Sequence, residues 1–293
     1  MEHIHPRIAD RATTLHILRA FHLRASKRLG QNFLVDPSVV QCVVEGAEVH
    51  PGDRVLEIGP GIGTLTQALA EAGADVTAVE LDKKLPAVLA QTLQGYPNIR
   101  ILQGDVLKMN LLELMEGTAF KVAANLPYYI TTPILMSLLE QRLPISHIAT
   151  MVQREVAERM TARPGSKSYG ALSIAVQYYT EPRILRDVPP SSFVPAPEVT
   201  SSVIVCRLRE TPAVAVKDEA LFFRMTRAAF GQRRKTLANA LRSTGFPKES
   251  LQESLSRANI DPSRRGETLS LMEFARLADA LADESPYSAR TCK

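Results

Sequence analysis

The sequence predicts an α/β fold: a mostly parallel sheet covered by helices on both faces, followed by a small all-helical C-terminal part. Three observations predict it. From Asp36 to about Gln153, short apolar runs alternate with runs of helical apolar spacing. Successive apolar runs end in a glycine, an acid or an amide, as at Gly59, Glu80, Gly104-Asp105 and Asn125. After Thr211-Pro212 every further segment has helical spacing. Strands separated by helices of this length indicate right-handed crossovers and parallel pairing.

The elements follow in order. "TTLHILRAFHLRASKRLG" is basic and amphipathic, and reads as an N-terminal helix followed by a basic arm. It lacks the apolar core and cleavage site of a signal peptide, so secretion is not expected. "PSVVQCVVEGAEV" is helical, "RVLEIG" a strand, and "TLTQALAEAG" a helix stopped by Gly73. "DVTAVELD" is a second strand, and "KKLPAVLAQTLQ" a helix with Pro86 in its first turn, where no N–H is missed. "IRILQGD" and "FKVAANLP" are the third and fourth strands, "TPILMSLLEQ" a helix, "HIATMVQ" a fifth strand and "REVAERM" a helix. "PRILRDV" and "SSVIVCRLR", separated by "VPPSSFVPAPEV", suit an antiparallel addition at one sheet edge. "DEALFFRMTRAAFGQ", "RKTLANALRS", "KESLQESLSRA" and "LSLMEFARLADALA" are helices, with Phe222, Phe223 and Phe230 expected in the core.

Composition narrows the class. The 293 residues are 45% hydrophobic and 23% charged, enough for a substantial core. No apolar run approaches the roughly 18–20 residues that span a bilayer, so no membrane association is expected. Cys42, Cys206 and Cys292 lack ligand spacing, and a metal role for His3 and His5 near the terminus is not expected; no metal and a reducing, cytoplasmic setting are. The net charge of +4 is modest, but "RASKRLG" and "GQRRKTL" concentrate cations. Lys27, Arg28, Arg233, Arg234 and Lys235 are thus candidates for phosphate contacts, with Arg264 and Arg265 weaker ones.

In an open α/β sheet, ligands bind outside the carboxyl ends of the strands. The first strand runs into Gly59-Pro60-Gly61-Ile62-Gly63, whose glycines permit a tight turn and close approach of a ligand beside a helix N-terminus. Glu80, ending the second strand, can accept both hydroxyls of a ribose, and Asp105 after the third can accept from an adenine amine. A nucleoside site without a phosphate-binding lysine loop suggests S-adenosylmethionine, whose sulfonium is already activated. The fourth strand ends in Asn125-Leu126-Pro127-Tyr128. An exocyclic adenine nitrogen is a poor nucleophile because its lone pair is delocalised into the ring. The Asn125 amide oxygen and the Leu126 carbonyl can both accept from that amine and free the lone pair. Pro127 stiffens the backbone that aims them, and Tyr128 offers a face for a flipped base.

"SKRLGQNFLVD", "VLEIGPGIGTLT", "VELD", "GDVL", "NLPYYITTPI", "VPPSSFVPAPEVTSSV" and "FGQRRKTLANAL", in this order, resemble the KsgA/RsmA family of small-subunit ribosomal RNA adenine dimethyltransferases. The resemblance runs from about Ser26 to about Ala282. It implies a Rossmann-like class I S-adenosylmethionine-dependent methyltransferase sheet over 26–211, a helical rRNA-binding domain over 212–293, and an N-terminal helix and arm over 1–25. It implies N6,N6-dimethylation of two adjacent adenosines in the 3′-terminal hairpin of small-subunit rRNA in a pre-mature subunit, with S-adenosylhomocysteine as product. By motif, Asn32, Leu34, Gly59, Gly61, Gly63, Glu80, Asp105 and Asn125 would hold the cofactor, and Asn125 with the backbone after it the target amine. Tyr128 and Phe193 would sandwich the target base. One departure is Thr200, where the family carries Asp: a hydroxyl accepts a hydrogen bond but cannot pair with a cation. A monomer is expected.

Three other readings separate on specific features. An erythromycin-resistance type methyltransferase has a smaller C-terminal domain, and "GQRRKT" argues against it. An assembly factor that binds immature subunits would share the basic arm and helical domain but not depend on Asn125. A nicotinamide-dependent dehydrogenase needs a longer glycine loop and a general acid, and the sequence has neither.

Overall fold

The structure, a computed structural model, describes residues 6–26, 29–232 and 234–284. His3, His5, Lys27, Arg28, Arg233 and Cys292, named above, lie outside the described residues. The chain divides into two compact units, one of Met1–Ala157 and Glu181–Leu208, the other of Glu158–Thr180 and Arg209–Lys293. The second unit therefore takes in Glu158–Thr180 as well as the C-terminal helices, where the sequence places a single break near Pro212.

The first unit begins with α1 (Arg11–Ala20) and a two-residue strand β1 (Phe33–Leu34). Helix α2 (Pro37–Gly46) starts where Asp36 caps Ser38 N and Pro37 fills the first turn; its buried face is Val39, Val40, Val43 and Val44. The alternation then runs β2 (Arg54–Ile58), α3 (Thr64–Glu71), β3 (Asp75–Glu80), α4 (Leu85–Thr92), β4 (Ile99–Gln103), α5 (Leu111–Leu114), β5 (Phe120–Asn125), α6 (Thr131–Glu140) and β6 (Ile145–Gln153). After α7 (Arg154–Met160) and α8 (Ala171–Tyr179) come β7 (Thr180–Val188), β8 (Phe193–Val194) and β9 (Ser201–Leu208).

Seven strands form one sheet in the order β4-β3-β2-β5-β6-β9-β7. Pairing is parallel from β4 through β6, and β9 joins β6 antiparallel, as the sequence predicts for the final return. The central strands bury both faces, with Val55, Leu56, Ala78, Ala123 and Ala149 wholly inaccessible, as parallel sheets require. Chain order reverses at β2, which has β3 on one side and β5 on the other, so the crevice at this switch point is where a ligand fits. Register fixes what lines it. Ile58 stands beside Val79 and Ala124, and Glu80 beside Gln103. The next residue of each strand therefore brings Gly59, Glu80 and Asn125 to one row.

Four elements go beyond the sequence reading, the single-turn helix α5 among them. Strands β1 and β8 pair antiparallel in a separate ribbon, Leu34 opposite Phe193 and Phe33 opposite Val194. Two residues are too few to show a period of two. Helix α8 is buried on nearly every side, so it lacks the one-sided spacing that marks a surface helix.

The second unit is built around aromatic packing. Helix α9 (Glu219–Gly231) buries Phe222 and Phe223, whose ring centroids each lie 5.1 Å from that of Tyr178. Phe230 packs against Tyr169 and Phe274, at 5.7 and 5.9 Å. Helices α10 (Leu237–Ala240), α11 (Lys248–Arg257) and α12 (Leu271–Glu284) complete it. Ser270 and Glu273 form a reciprocal cap at the start of α12, each side chain accepting from the other's backbone N–H.

Candidate active site

One cavity in the first unit gathers residues that the sequence nominates separately. Its lining includes Gly59 and Gly61 after β2, Glu80 at the end of β3, Asp105 after β4 and Asn125 to Tyr128 after β5. Asn32 and Leu34 of the amino-terminal segment and Phe193 of β8 complete it. Gly63 does not line it. With φ of 96° it begins α3, and a Cβ there would stand 3.0 Å from Leu93, so it serves the turn and the helix packing.

Gly59 has φ of 72°, and a Cβ there would meet nothing within 4 Å, so the bare backbone keeps cavity space open. The Glu80 carboxylate is clamped from both sides: Oε2 accepts from Gly61 N at 3.1 Å and Oε1 from Asp82 N at 2.7 Å. Each oxygen keeps a further lone pair, enough for two ligand hydroxyls. Burial raises the Glu80 pKa, and those two donors pull against it. Asp105 Oδ1 accepts from Leu107 N at 3.1 Å, and its Oδ2 lies 3.7 Å from Lys108 Nζ.

Among the described residues one hydrogen bond orients the Asn125 side chain. Its Nδ2 donates to the Asn32 carbonyl at 3.3 Å, which turns Oδ1 away as a free acceptor. Neither Asn125 Oδ1 nor the Leu126 carbonyl accepts a hydrogen bond among the described residues. The next carbonyl, of Pro127, accepts from Ile130 N at 3.1 Å and Thr131 Oγ1 at 3.0 Å, so the turn itself is fixed. The Tyr128 hydroxyl lies 2.7 Å from Ser201 Oγ, and burial raises its pKa. Phe193 is buried and held opposite Leu34 in the ribbon.

Four lining or supporting residues escape sequence reasoning. Glu57, inside β2, is wholly buried; burial, with the nearby Glu80 charge adding to it, pushes its pKa up to about 8. Its Oε2 has no hydrogen-bond partner among the described residues. A carboxylate within the apolar run "VLEI" is the signal that could have found it. Ser201 and Gln31 act through partners distant in sequence. Tyr129, 57% exposed on the cavity lining, is visible in "PYY" but is adjacent to a more obvious ring.

The basic candidates divide. Arg234 and Lys235 are exposed in the turn after α9. Arg264 donates to both carboxylate oxygens of Glu273 and to Thr268, so it is a structural brace rather than a free cation, unlike its exposed neighbour Arg265. Thr200 contributes its carbonyl to Arg154 N at 3.0 Å, while the following Ser201 meets Tyr128. Among the described residues no group of three His, Cys, Asp or Glu side chains is placed to hold a metal ion, and no helix is long and apolar enough to cross a membrane.

A switch-point cavity lined by successive strand ends, on a sheet with an antiparallel addition at one edge, defines a Rossmann-like class I S-adenosylmethionine-dependent methyltransferase. The chain belongs to the ribosomal RNA adenine dimethylase family, which matches residues 22–283. It is 50% identical over 283 residues to a ribosomal RNA small subunit methyltransferase A of Alkaliphilus oremlandii, covering 94% of this chain and 98% of that one. A protein of the same description from Moorella thermoacetica matches with the same identity and coverage. Among solved structures, a dimethyladenosine transferase from Plasmodium falciparum superimposes with a TM-score of 0.72 at 25% identity, over 84% of this chain and 95% of that one. The 23S rRNA methyltransferase ErmE superimposes with a TM-score of 0.66 at 26% identity, over 85% and 99%.

Proposed function

We propose that the protein dimethylates N6 of two adjacent adenosines in the 3′-terminal hairpin of small-subunit rRNA, using S-adenosylmethionine. We further propose that it acts as a cytoplasmic monomer on a pre-mature subunit and so takes part in small-subunit biogenesis. The observation that carries the chemistry is the pair of unoccupied acceptors, Asn125 Oδ1 and the Leu126 carbonyl, on a rigid turn beside a nucleoside-sized site.

The cavity suits the cofactor on its own terms. Glu80 offers its spare lone pairs to the ribose hydroxyls, and Asp105 accepts from the adenine amine. Gly59 and Gly61 admit the ligand against backbone, and Asn32 and Leu34 flank it. The buried Glu57 carboxyl, whose Oε2 has no hydrogen-bond partner among the described residues, suits the α-ammonium group. When bound, S-adenosylmethionine supplies a methyl group on a sulfonium, activated for transfer.

The chain's own part is positioning. Asn125 Oδ1 and the Leu126 carbonyl take the two N–H groups of the target amine, drawing the nitrogen towards a tetrahedral shape with its lone pair free. Tyr128 and Phe193 hold the extruded base by its faces, offsetting part of the few kcal/mol lost on unstacking. Arg234 and Lys235, with Lys27, Arg28 and Arg233, supply phosphate contacts that hold the subunit.

The test uses small subunits from cells lacking the modification, incubated with protein and S-adenosylmethionine, with the digested rRNA examined by mass spectrometry. N6,N6-dimethyladenosine confined to the 3′-terminal hairpin supports the proposal; no product on small subunits, with dimethyladenosine forming in a parallel reaction on 23S rRNA, would mark an ErmE-like specificity and sink it. Asn125→Ala is expected to lower turnover by roughly a hundredfold, the scale for losing one preorganised polar contact, while subunit binding survives.

A further inference from the structure

Gln31 takes part in no step described above, yet its side chain is engaged at both ends. Oε1 accepts from Ser26 N at 2.8 Å, and Nε2 donates to Asp82 Oδ2 at 3.0 Å. Asp82 is fixed in turn: its N–H donates to Glu80 Oε1 at 2.7 Å, and its Oδ1 accepts from Lys84 N at 3.1 Å. The backbone at residue 31 is thereby pinned to the end of β3. One residue on, the Asn32 carbonyl accepts from Asn125 Nδ2 at 3.3 Å. The preceding Gly30, with φ of 58°, is tightly set, since a Cβ there would stand 3.3 Å from Pro127 Cβ. A continuous run of polar contacts therefore joins Glu80 to Asn125 through Asp82, Gln31 and Asn32.

A side-chain amide has two ends of nearly equal shape and opposite polarity. A half-turn about its last torsion replaces an acceptor with a donor. With Nδ2 presented to an adenine amine, donor would face donor and the amine would gain nothing. The Asn32 carbonyl is what distinguishes the two ends, because it can only accept. Its position depends on the backbone that Gln31 pins.

We propose that Gln31 is a positioning residue whose tie to Asp82 holds the Asn32 carbonyl in place and thereby selects the Asn125 amide orientation that presents Oδ1 to the acceptor. What Oδ1 faces rests on the methyl-transfer reading; the tie and the orientation belong to the protein without substrate. The ribose-side strand end and the acceptor-side strand end are, in consequence, one coupled unit.

The test has two readouts. The first is the Asn125 side-chain NH₂ signal in a ¹H–¹⁵N spectrum of the full chain, assigned by its loss in Asn125→Asp. The second is methyl transfer to unmodified small subunits. Gln31→Ala is expected to shift that signal and speed its exchange with solvent. It is also expected to lower kcat about tenfold while KM for S-adenosylmethionine changes less than about threefold. Asp82→Ala should do the same, and the double variant should be no worse than the worse single one. Gln31→Glu sets two carboxylates against each other and should be equally impaired. Adding Asp82→Asn restores a donor, now from the opposite side, and should recover both signal and rate. An Asn125 signal unmoved in Gln31→Ala, multiplying losses, or failure of the Gln31→Glu/Asp82→Asn pair, folded by its melting curve, to recover would overturn the proposal. A wild-type protein that methylates no adenine would remove the functional reading, and the amide signal would still decide the tie.

Discussion

Replacing Glu57 with glutamine is expected to stabilise the protein by an amount that grows with pH. In the unfolded chain this carboxyl titrates near its ordinary 4.5; in the fold, burial first and the Glu80 charge after it push the value up to about 8. Below 4.5 both states hold the proton and the residue adds no pH dependence. Between 4.5 and about 8 the unfolded state has released a proton that the folded state retains, so stability falls as pH rises. At ~1.4 kcal/mol per pKa unit, the interval from 4.5 to pH 7 amounts to about 3 kcal/mol. That corresponds to on the order of 6–12 °C in Tm for a chain of this size. Glutamine keeps the shape and cannot ionise. Thermal unfolding of both proteins between pH 5 and 8.5 should give curves that nearly meet at the acid end and separate towards the alkaline end. A gap of the same size at every pH would refute the reasoning, because it would locate the effect in packing rather than in proton linkage.

Ser201→Ala should leave the fold intact and lower kcat several-fold by releasing the Tyr128 ring, and Tyr128→Phe in the same background should add little, which steady-state kinetics on subunits would check. Tyr129→Ala should raise KM for the subunit roughly tenfold, the loss of one stacking surface, with S-adenosylmethionine affinity unchanged by titration calorimetry. Gly59→Ala places a methyl group in open cavity space at a left-handed backbone position, and should cut cofactor affinity about tenfold or more. Arg264, with the Ser270 cap, holds Glu273 down to about 2, so this pair stabilises the fold above pH 4.5 and the benefit disappears as pH falls towards 2. Arg264→Ala should accordingly cost about 1–2 kcal/mol at pH 7, allowing for partial solvent screening, with urea melts converging in acid.

The strand ends were readable because residue type changes abruptly there: an apolar run stops at glycine, acid or amide, and a parallel sheet puts such stops side by side. Gly59, Glu80, Asp105 and Asn125 could therefore be nominated one at a time, and register brings three of them to one row. Other features depend on partners that local pattern does not reveal. Gln31 meets Asp82 across 51 residues, and Tyr128 meets Ser201 across 73, so neither bond has a local signature. Arg264 and Arg265 look alike in "PSRRGE"; only the carboxylate of Glu273 separates a brace from an exposed cation. Gly63 repeats the letter of Gly59 and Gly61 but sits where the helix begins and does not itself line the cavity. Helix α8 and the residues around it group with the second unit, although in sequence they interrupt the first.

The ribbon that sets Leu34 opposite Phe193 joins points roughly 160 residues apart in the chain. That contact cannot form until both ends of the span have been made. During synthesis, a nascent chain that has released its glycine turn, its acids and even Asn125-Leu126-Pro127-Tyr128 still lacks one wall of the cavity. Until Phe193 has emerged and docked, the wall it contributes is missing. Completion of the site is thus tied to completion of the first unit, and truncated chains ending before β8 are barred by topology from presenting the finished base clamp.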